Sequence, residues 1–362
     1  VFDRGIDDYD AFLCGAGEPR PEADCAALEA AGFPLEPADL NLPSIAVSDL
    51  VAERTVRRRV TNVGEPATFS AAATAPGGIA IAVDPPLVNL GTGETAEVEV
   101  RITADLAPVD AWQFGAVTWT GGDATVRVPL AVRAQAFAAE FEVAGSGSDG
   151  SGTVLARSGY TGPYQAVFSG FDVSGQGQPG AVQAQLTGAF VRDDGDPATG
   201  YAYVAPGGTL PADVRRVPIF VPAGTKLLRV ALFDADTDGE HDLDLYLYRC
   251  PAFVTCVEEA DPSLAADTSD EAITLIDPPA GEYYVDVHGY LTAGSGATFD
   301  LSVWTLGADR GNATVTAPAN VLAGEELAIG VAWQGLPPGR SLGLVTHRNA
   351  VDDLAYTVIA ID

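Results

Sequence analysis

Residues 233–248 read FDADTDGEHDLDLYLY, and the stretch changes character halfway. Its second half alternates strictly. Leu243, Leu245 and Leu247 fall on one side of an extended chain, and Asp242, Asp244, Tyr246 and Tyr248 on the other. That period of two predicts a β-strand with one apolar face. The first half is carboxylate-dense: Asp234, Asp236 and Asp238 alternate and are followed by Gly239. This is the spacing of the first half of a calcium loop, in which alternate carboxylates turn inward and glycine permits the sharp bend. The twelfth position is Leu245, where a helix-loop-helix site carries a bidentate glutamate. The expected site is therefore a calcium loop on a β scaffold. Its ligands would be Asp234, Asp236, Asp238, Asp242 and Asp244, with carbonyls or water completing six to eight oxygens. His241 is expected to stay out of the shell, since calcium prefers oxygen. The alternative is a solvated acidic hairpin.

The whole chain reads the same way. Forty glycines and 25 prolines interrupt many short Val, Leu and Ala runs, which predicts an all-β protein of tandem β-sandwich modules. At 362 residues it is long for one domain. A formal net charge of -31 excludes nucleic acid as a natural partner and disfavours anionic membranes. No apolar run is long enough to span a bilayer as a helix. The chain has no methionine and opens at Val1 without a signal-peptide pattern, so it reads as a piece of a longer protein.

Four cysteines fall in two local pairs, Cys14 with Cys25 and Cys250 with Cys256. Neither pair has the spacing of a metal knuckle. Two short-loop disulfides are expected, which places the protein outside the cytoplasm; four free buried thiols are the alternative.

The first forty residues differ from the rest. Ile6, Tyr9 and Leu13 have helical spacing, and ADCAALEAAGF reads as a second helix ended by glycine. The pair Cys14–Cys25 would staple the two, in a segment too small to fold alone.

Three phrases then carry a resemblance. VFDRGIDDYDAFLCG, DLNLPSIAV from Asp39, and RTVRRRVTNVG from Arg54 to Gly64 resemble the segment that follows the catalytic domain of subtilisin-like serine proteases. The likeness continues through APGGIAIAVDPPLVNL and FGAVTWTGGDATVRVPLAV. It implies a fibronectin type III-like β-sandwich over 41–135, preceded by the end of a protease domain over 1–40. The residues agree, with short strands at 56–63, 79–83, 96–102, 114–119 and 125–132 between glycine and proline turns.

A Gly/Ser-rich β connector or module follows over 136–207, with weak strands at 140–143, 153–156, 164–168 and 181–190. Over 208–306, GTKLLRVALFDADTDGEHDLDLYLY and PAGEYYVDVHG resemble the pre-peptidase C-terminal domain, a jelly-roll-like module of secreted bacterial proteases. That resemblance implies secretion, a bacterial origin and frequent calcium binding. A small Ig-like β module over 307–362 would close the chain.

Catalytic phrases are missing. Subtilisin-like enzymes carry aspartate in Asp-Thr/Ser-Gly, histidine in His-Gly-Thr-His and serine in Gly-Thr-Ser-Met-Ala, and none occurs here. His241, His288 and His347 are scattered, whereas a triad needs nucleophile, base and orienting carboxylate together. There is no phosphate loop, HExxH or CxxC. Trp112, Trp119, Trp304 and Trp333 all sit in strand patterns, where packing is the simpler role than a sugar or peptide platform. The expected function is a non-catalytic accessory region of an extracellular subtilisin-like serine endopeptidase. Its partners would be the upstream catalytic domain of the same polypeptide and protein substrate. The alternative is a cell-surface adhesion or glycan-binding array.

Overall fold

The computed structural model describes residues 5–16, 21–104, 108–173, 188–190, 203–211, 213–252, 255–260, 262–265, 267–292 and 297–362. It is all-β apart from two short helices, as the alternation predicts. The chain divides into two compact units. One holds Val1–Ala139, Leu155–Tyr164 and Pro318–Leu327; the other holds Glu140–Val154, Gln165–Ala317 and Ala328–Asp362.

The first unit opens with α1 (Ile6–Gly15) and α2 (Glu22–Ala30), joined by the Cys14–Cys25 disulfide. At Gly15, the last residue of α1, a Cβ would lie 1.6 Å from the Leu35 carbonyl oxygen, so the close approach needs glycine. The sandwich follows: β1 (Ile45–Val51), β2 (Glu53–Thr61), β3 (Ala67–Thr74), β4 (Ile79–Asp84), β5 (Leu87–Leu90), β6 (Thr95–Ala104), β7 (Trp112–Gly121) and β8 (Ala124–Gln135). Five strands form one sheet in the order β1-β8-β7-β3-β5, and β2-β6-β4 form the other. Alternate residues from both sheets, including Val56, Ile102, Leu130 and Val132, make the core. The expected strands all form, with three more beside them.

Beyond it run β9 (Phe137–Ala139), β10 (Glu142–Gly145), β11 (Gly150–Ser158), β12 (Gly162–Pro163), β13 (Gln165–Val173) and β14 (Gly188–Phe190). Next come β15 (Val214–Val221), β16 (Leu227–Leu232), β17 (Asp242–Ala252), β18 (Thr255–Glu258), β19 (Glu271–Ile276), β20 (Gly281–Leu291), β21 (Ala297–Phe299) and β22 (Ser302–Leu306). The last are β23 (Ala313–Thr316), β24 (Asn320–Val321), β25 (Glu326–Trp333), β26 (Ser341–Arg348) and β27 (Asp353–Ile361). The strand expected over 181–190 lies outside the described residues except at 188–190.

In the second unit, the sheets β15-β20-β17-β18 and β19-β16-β22 face each other over Leu243, Leu245, Leu247, Val285 and Val230. The three leucines read from the sequence are fully buried there. The segment expected as a β connector or module at 136–207 and the one expected as a small Ig-like module at 307–362 contribute strands to a common sheet. β10 pairs with β27, and β13 pairs with β26, so strands from both segments share one sheet and 208–306 is an insertion between them. Leu342, Leu344 and Val358 of that sheet then pack on Leu227, Trp304 and Leu306. Trp333 fills the remaining space. A Cβ at Gly150 would come within 2.6 Å of its ring, and its Nε1 donates to the Gly147 carbonyl at 3.1 Å.

Candidate functional site

The acidic stretch leaves β16 through Phe233, makes a single 3-10 turn at Asp234–Asp236, and enters β17 at Asp242. Backbone bonds tie the turn to the chain around β21: Asp238 N donates to Thr298 O (3.2 Å) and Asp300 N to Asp236 O (3.0 Å).

Each of the five aspartates has its own partner. Asp234 accepts Ser269 N at 2.6 Å on one oxygen and the Thr268 hydroxyl at 2.9 Å on the other. Asp236 forms an ion pair with Arg340, whose guanidinium lies 3.7 Å from the Phe233 ring centroid. Asp238 accepts Thr298 N at 2.7 Å and bonds His241 Nε2 at 2.9 Å. The Thr298 bonds, then His241, hold its carboxyl down at about 2. Asp242 accepts Asp267 N at 3.0 Å. Asp244 lies 3.0 Å from His288 Nδ1, and His288 Nε2 lies 3.5 Å from an Asp213 oxygen.

Each carboxylate is thus held by an arginine, a histidine ring nitrogen, a hydroxyl or a backbone N–H. Among the described residues, no three Asp, Glu, His or Cys side chains converge as a metal ion requires. The carboxylates as placed do not fit the expected calcium shell, because an ion would have to draw them off these partners.

The structure gathers a different set. Asp242 and Asp244 point to the outer face of β17, where strict alternation suggests solvent, yet both are buried. Described residues between β18 and β19, Ser263 and Asp267 among them, lie against this face. Ser263 pairs with Leu245 across an isolated bridge, and buried Glu271 accepts the Ser263 hydroxyl and Ala265 N (2.5 Å). Burial raises the Glu271 carboxyl above its ordinary range, and the charges of Asp244 and Asp242 add to the effect. Burial likewise raises Asp242, against the Asp267 N–H that lowers it. One row along, Asp286 is fully buried and meets Arg216 through two bonds, Nε–Oδ1 at 2.7 Å and Nη2–Oδ2 at 2.6 Å. Arg216 also stacks near Tyr203 and Tyr284. Asp213 and Arg340 carried no local signal, since their partners, His288 and Asp236, lie far along the chain.

This arrangement does structural chemistry. His288 is 1% exposed and sits between two carboxylates, so it offers no reach to a substrate. His347 is also buried. It bonds the Thr357 hydroxyl, which donates to the Glu140 carbonyl, and burial pushes its pKa down to about 4. Three tryptophans, Trp119, Trp304 and Trp333, are core residues. Trp112 keeps 47% of its surface, beside Arg133. Both expected disulfides are formed; Cys250–Cys256 joins β17 to β18.

Comparison with known proteins places these observations. Residues 39–132 match the fibronectin type-III domain family. A subtilisin-like protease of Arabidopsis thaliana is 34% identical over 142 residues, which is 37% of this chain and 18% of the relative. One of Glycine max is 33% identical over 146 residues, covering 37% and 18%. Another of Arabidopsis thaliana is 37% identical over 134 residues, covering 36% and 16%. The chain thus spans less than a fifth of the length of these relatives, and they are plant proteins, which gives the expected bacterial origin no support. Among solved structures, the secreted serine protease VesC from Vibrio cholerae aligns over 73% of this chain and 49% of its own at 10% identity and a TM-score of 0.22. A likeness that low carries no argument.

Proposed function

We propose that the chain is the non-catalytic accessory region of a subtilisin-like serine endopeptidase acting outside the cell. The carrying observation is the fibronectin type III match over 39–132, on a formed two-sheet sandwich, together with relatives that are subtilisin-like proteases. Two local disulfides support an oxidising compartment. The missing triad phrases and the burial of His288 and His347 support a region without its own catalysis. The insertion at 208–306 is read as a pre-peptidase C-terminal-like module, on the strength of its sequence phrases. The region would stabilise the catalytic domain, shape access to its cleft or hold bulky protein substrate.

The test is the upstream reading frame. Triad phrases in frame support the proposal; an unrelated upstream sequence would overturn it. A fluorophosphonate probe on this chain alone is expected to label no serine. Stoichiometric labelling with matching casein cleavage would refute the non-catalytic part.

A further inference from the structure

The sheet β2-β6-β4 of the first unit has two edges, and the chain treats them differently. At the β2 edge, side chains from the preceding segment take the outward backbone groups. Asp39 accepts Arg57 N–H at 2.7 Å, and Asn41 accepts Arg59 N–H at 2.8 Å and donates to the Arg59 carbonyl at 3.0 Å. Residues 57 and 59 therefore point away from β6. Ala104 N–H of β6 donates to the Ala52 carbonyl, on the β2 side. By alternation, Thr103, Arg101 and Glu99 face β4, and their bonds go to Ala80, Ala82 and Asp84, the residues opposite them. That leaves Ile79, Ile81 and Val83 facing the open edge. Ile79 N–H folds back to the Pro76 carbonyl at 3.2 Å, and the backbone groups of Ile81 and Val83 have no partner among the described residues.

Nothing in β4 blunts this edge. It reads IAIAVD, without lysine or proline, and its pairing with β6 runs without a bulge. Such an edge is a template for another strand. β4 complements itself. Antiparallel pairing about a two-fold axis at Ile81 sets Ile81 opposite Ile81 of a second copy, Ile79 opposite Val83, and Ala80 opposite Ala82. The N–H groups of Ile81 and Val83 then find carbonyls, those of Ile81 and Ile79. The branched side chains, half-buried at Ile81 and Val83, fall together on the core face, and the small exposed alanines on the other. Asp84, the charge that ends the strand, comes opposite Gly78 and meets no like charge. We propose that β4 binds β4 of a second copy of this chain in this register, joining the two β2-β6-β4 sheets into one continuous sheet. This goes beyond the accessory role and does not depend on it.

The experiment is sedimentation equilibrium on the full 362-residue chain. At about 0.5 M NaCl, which screens the -31 charge of each copy, a monomer–dimer equilibrium is expected. Its Kd should be on the order of 100 μM, since an interface built on one strand edge is smaller than the roughly 1,200 Å² of a stable complex. Hydrogen exchange of the Ile81 and Val83 amides should slow as the dimer fills, a readout that needs no variant. Ala80→Glu with Ala82→Glu sets like charges opposite each other twice, on the exposed face, and should weaken the dimer on the order of tenfold. Ala80→Lys with Ala82→Glu sets opposite charges at the same places and should restore it. A monomer at every concentration up to about 500 μM, a dimer with unchanged exchange over 79–84, or two variants that dimerise alike would each overturn the proposal.

Discussion

Asp286→Ala is the substitution whose cost follows most directly from the structure. The Asp286 carboxylate is fully buried in the middle of the β15-β20-β17 face, and Arg216, with 10% of its side chain exposed, grips it through two bonds. Truncating the aspartate removes the two bonds that hold the guanidinium, which lies near the Tyr203 and Tyr284 rings. Breaking a buried pair from one side costs about 3–5 kcal/mol. β15 is an edge strand, so some water reaches Arg216, and the lower end, about 3 kcal/mol, is expected. Replacing both partners by apolar residues, Arg216→Met with Asp286→Leu, should be close to neutral, since no charge is then stranded. The exposed pair Lys226–Asp277, with side chains 41% and 44% exposed, serves as the contrast; Lys226→Ala at that pair should cost about 0–1 kcal/mol. Native-state hydrogen exchange read on peptides from 214–221 and 281–291 reports the opening free energy of this unit without requiring the whole chain to unfold in one step. An Asp286→Ala loss below about 1 kcal/mol, or a double replacement as costly as the single one, would refute the reasoning.

Four further outcomes follow. Serine at both Cys250 and Cys256 should cost about 2 kcal/mol, and at both Cys14 and Cys25 about 3 kcal/mol, from the loops of six and eleven residues they close; thermal unfolding with and without reductant checks both. His347 has a folded pKa of about 4, below its unfolded value, so its contribution is present above about pH 6.5 and is lost as pH falls toward 4. Wild type should therefore lose roughly 3 kcal/mol more than His347→Gln between pH 7 and pH 4, and parallel stability–pH curves would contradict this. Glu271 is raised in the fold, so its carboxyl favours folding at low pH and loses that contribution as pH rises through its folded pKa; Glu271→Gln should show a smaller stability loss between pH 4 and 7, and an unchanged slope would count against the buried carboxyl. Millimolar calcium at matched ionic strength should leave the melting temperature unchanged, and Asp236→Ala should cost about 1 kcal/mol with or without the ion, by loss of Arg340. A calcium-dependent rise abolished by Asp236→Ala would show that the ion displaces that arginine.

Local pattern was enough for some of this architecture. Period-two alternation at 242–248 settles which residues share a face, and Leu243, Leu245 and Leu247 are all fully buried. Glycine and proline punctuation marks the strands of the first sandwich, and the two local cysteine pairs expected at separations of eleven and six are the disulfides that form. What alternation leaves open is what the other face meets. Asp242 meets the Asp267 N–H, Asp244 meets His288, and Asp236 meets Arg340 across 104 residues. The pairing of β10 with β27 and of β13 with β26 spans the whole inserted module. Closing a long loop costs little more than closing a medium one, so sequence distance barely constrains such partners. Only packing selects them: an unpaired buried carboxylate, or a half-sandwich with no second sheet, is too costly to persist, and the tertiary fold supplies each with the one partner that removes the cost.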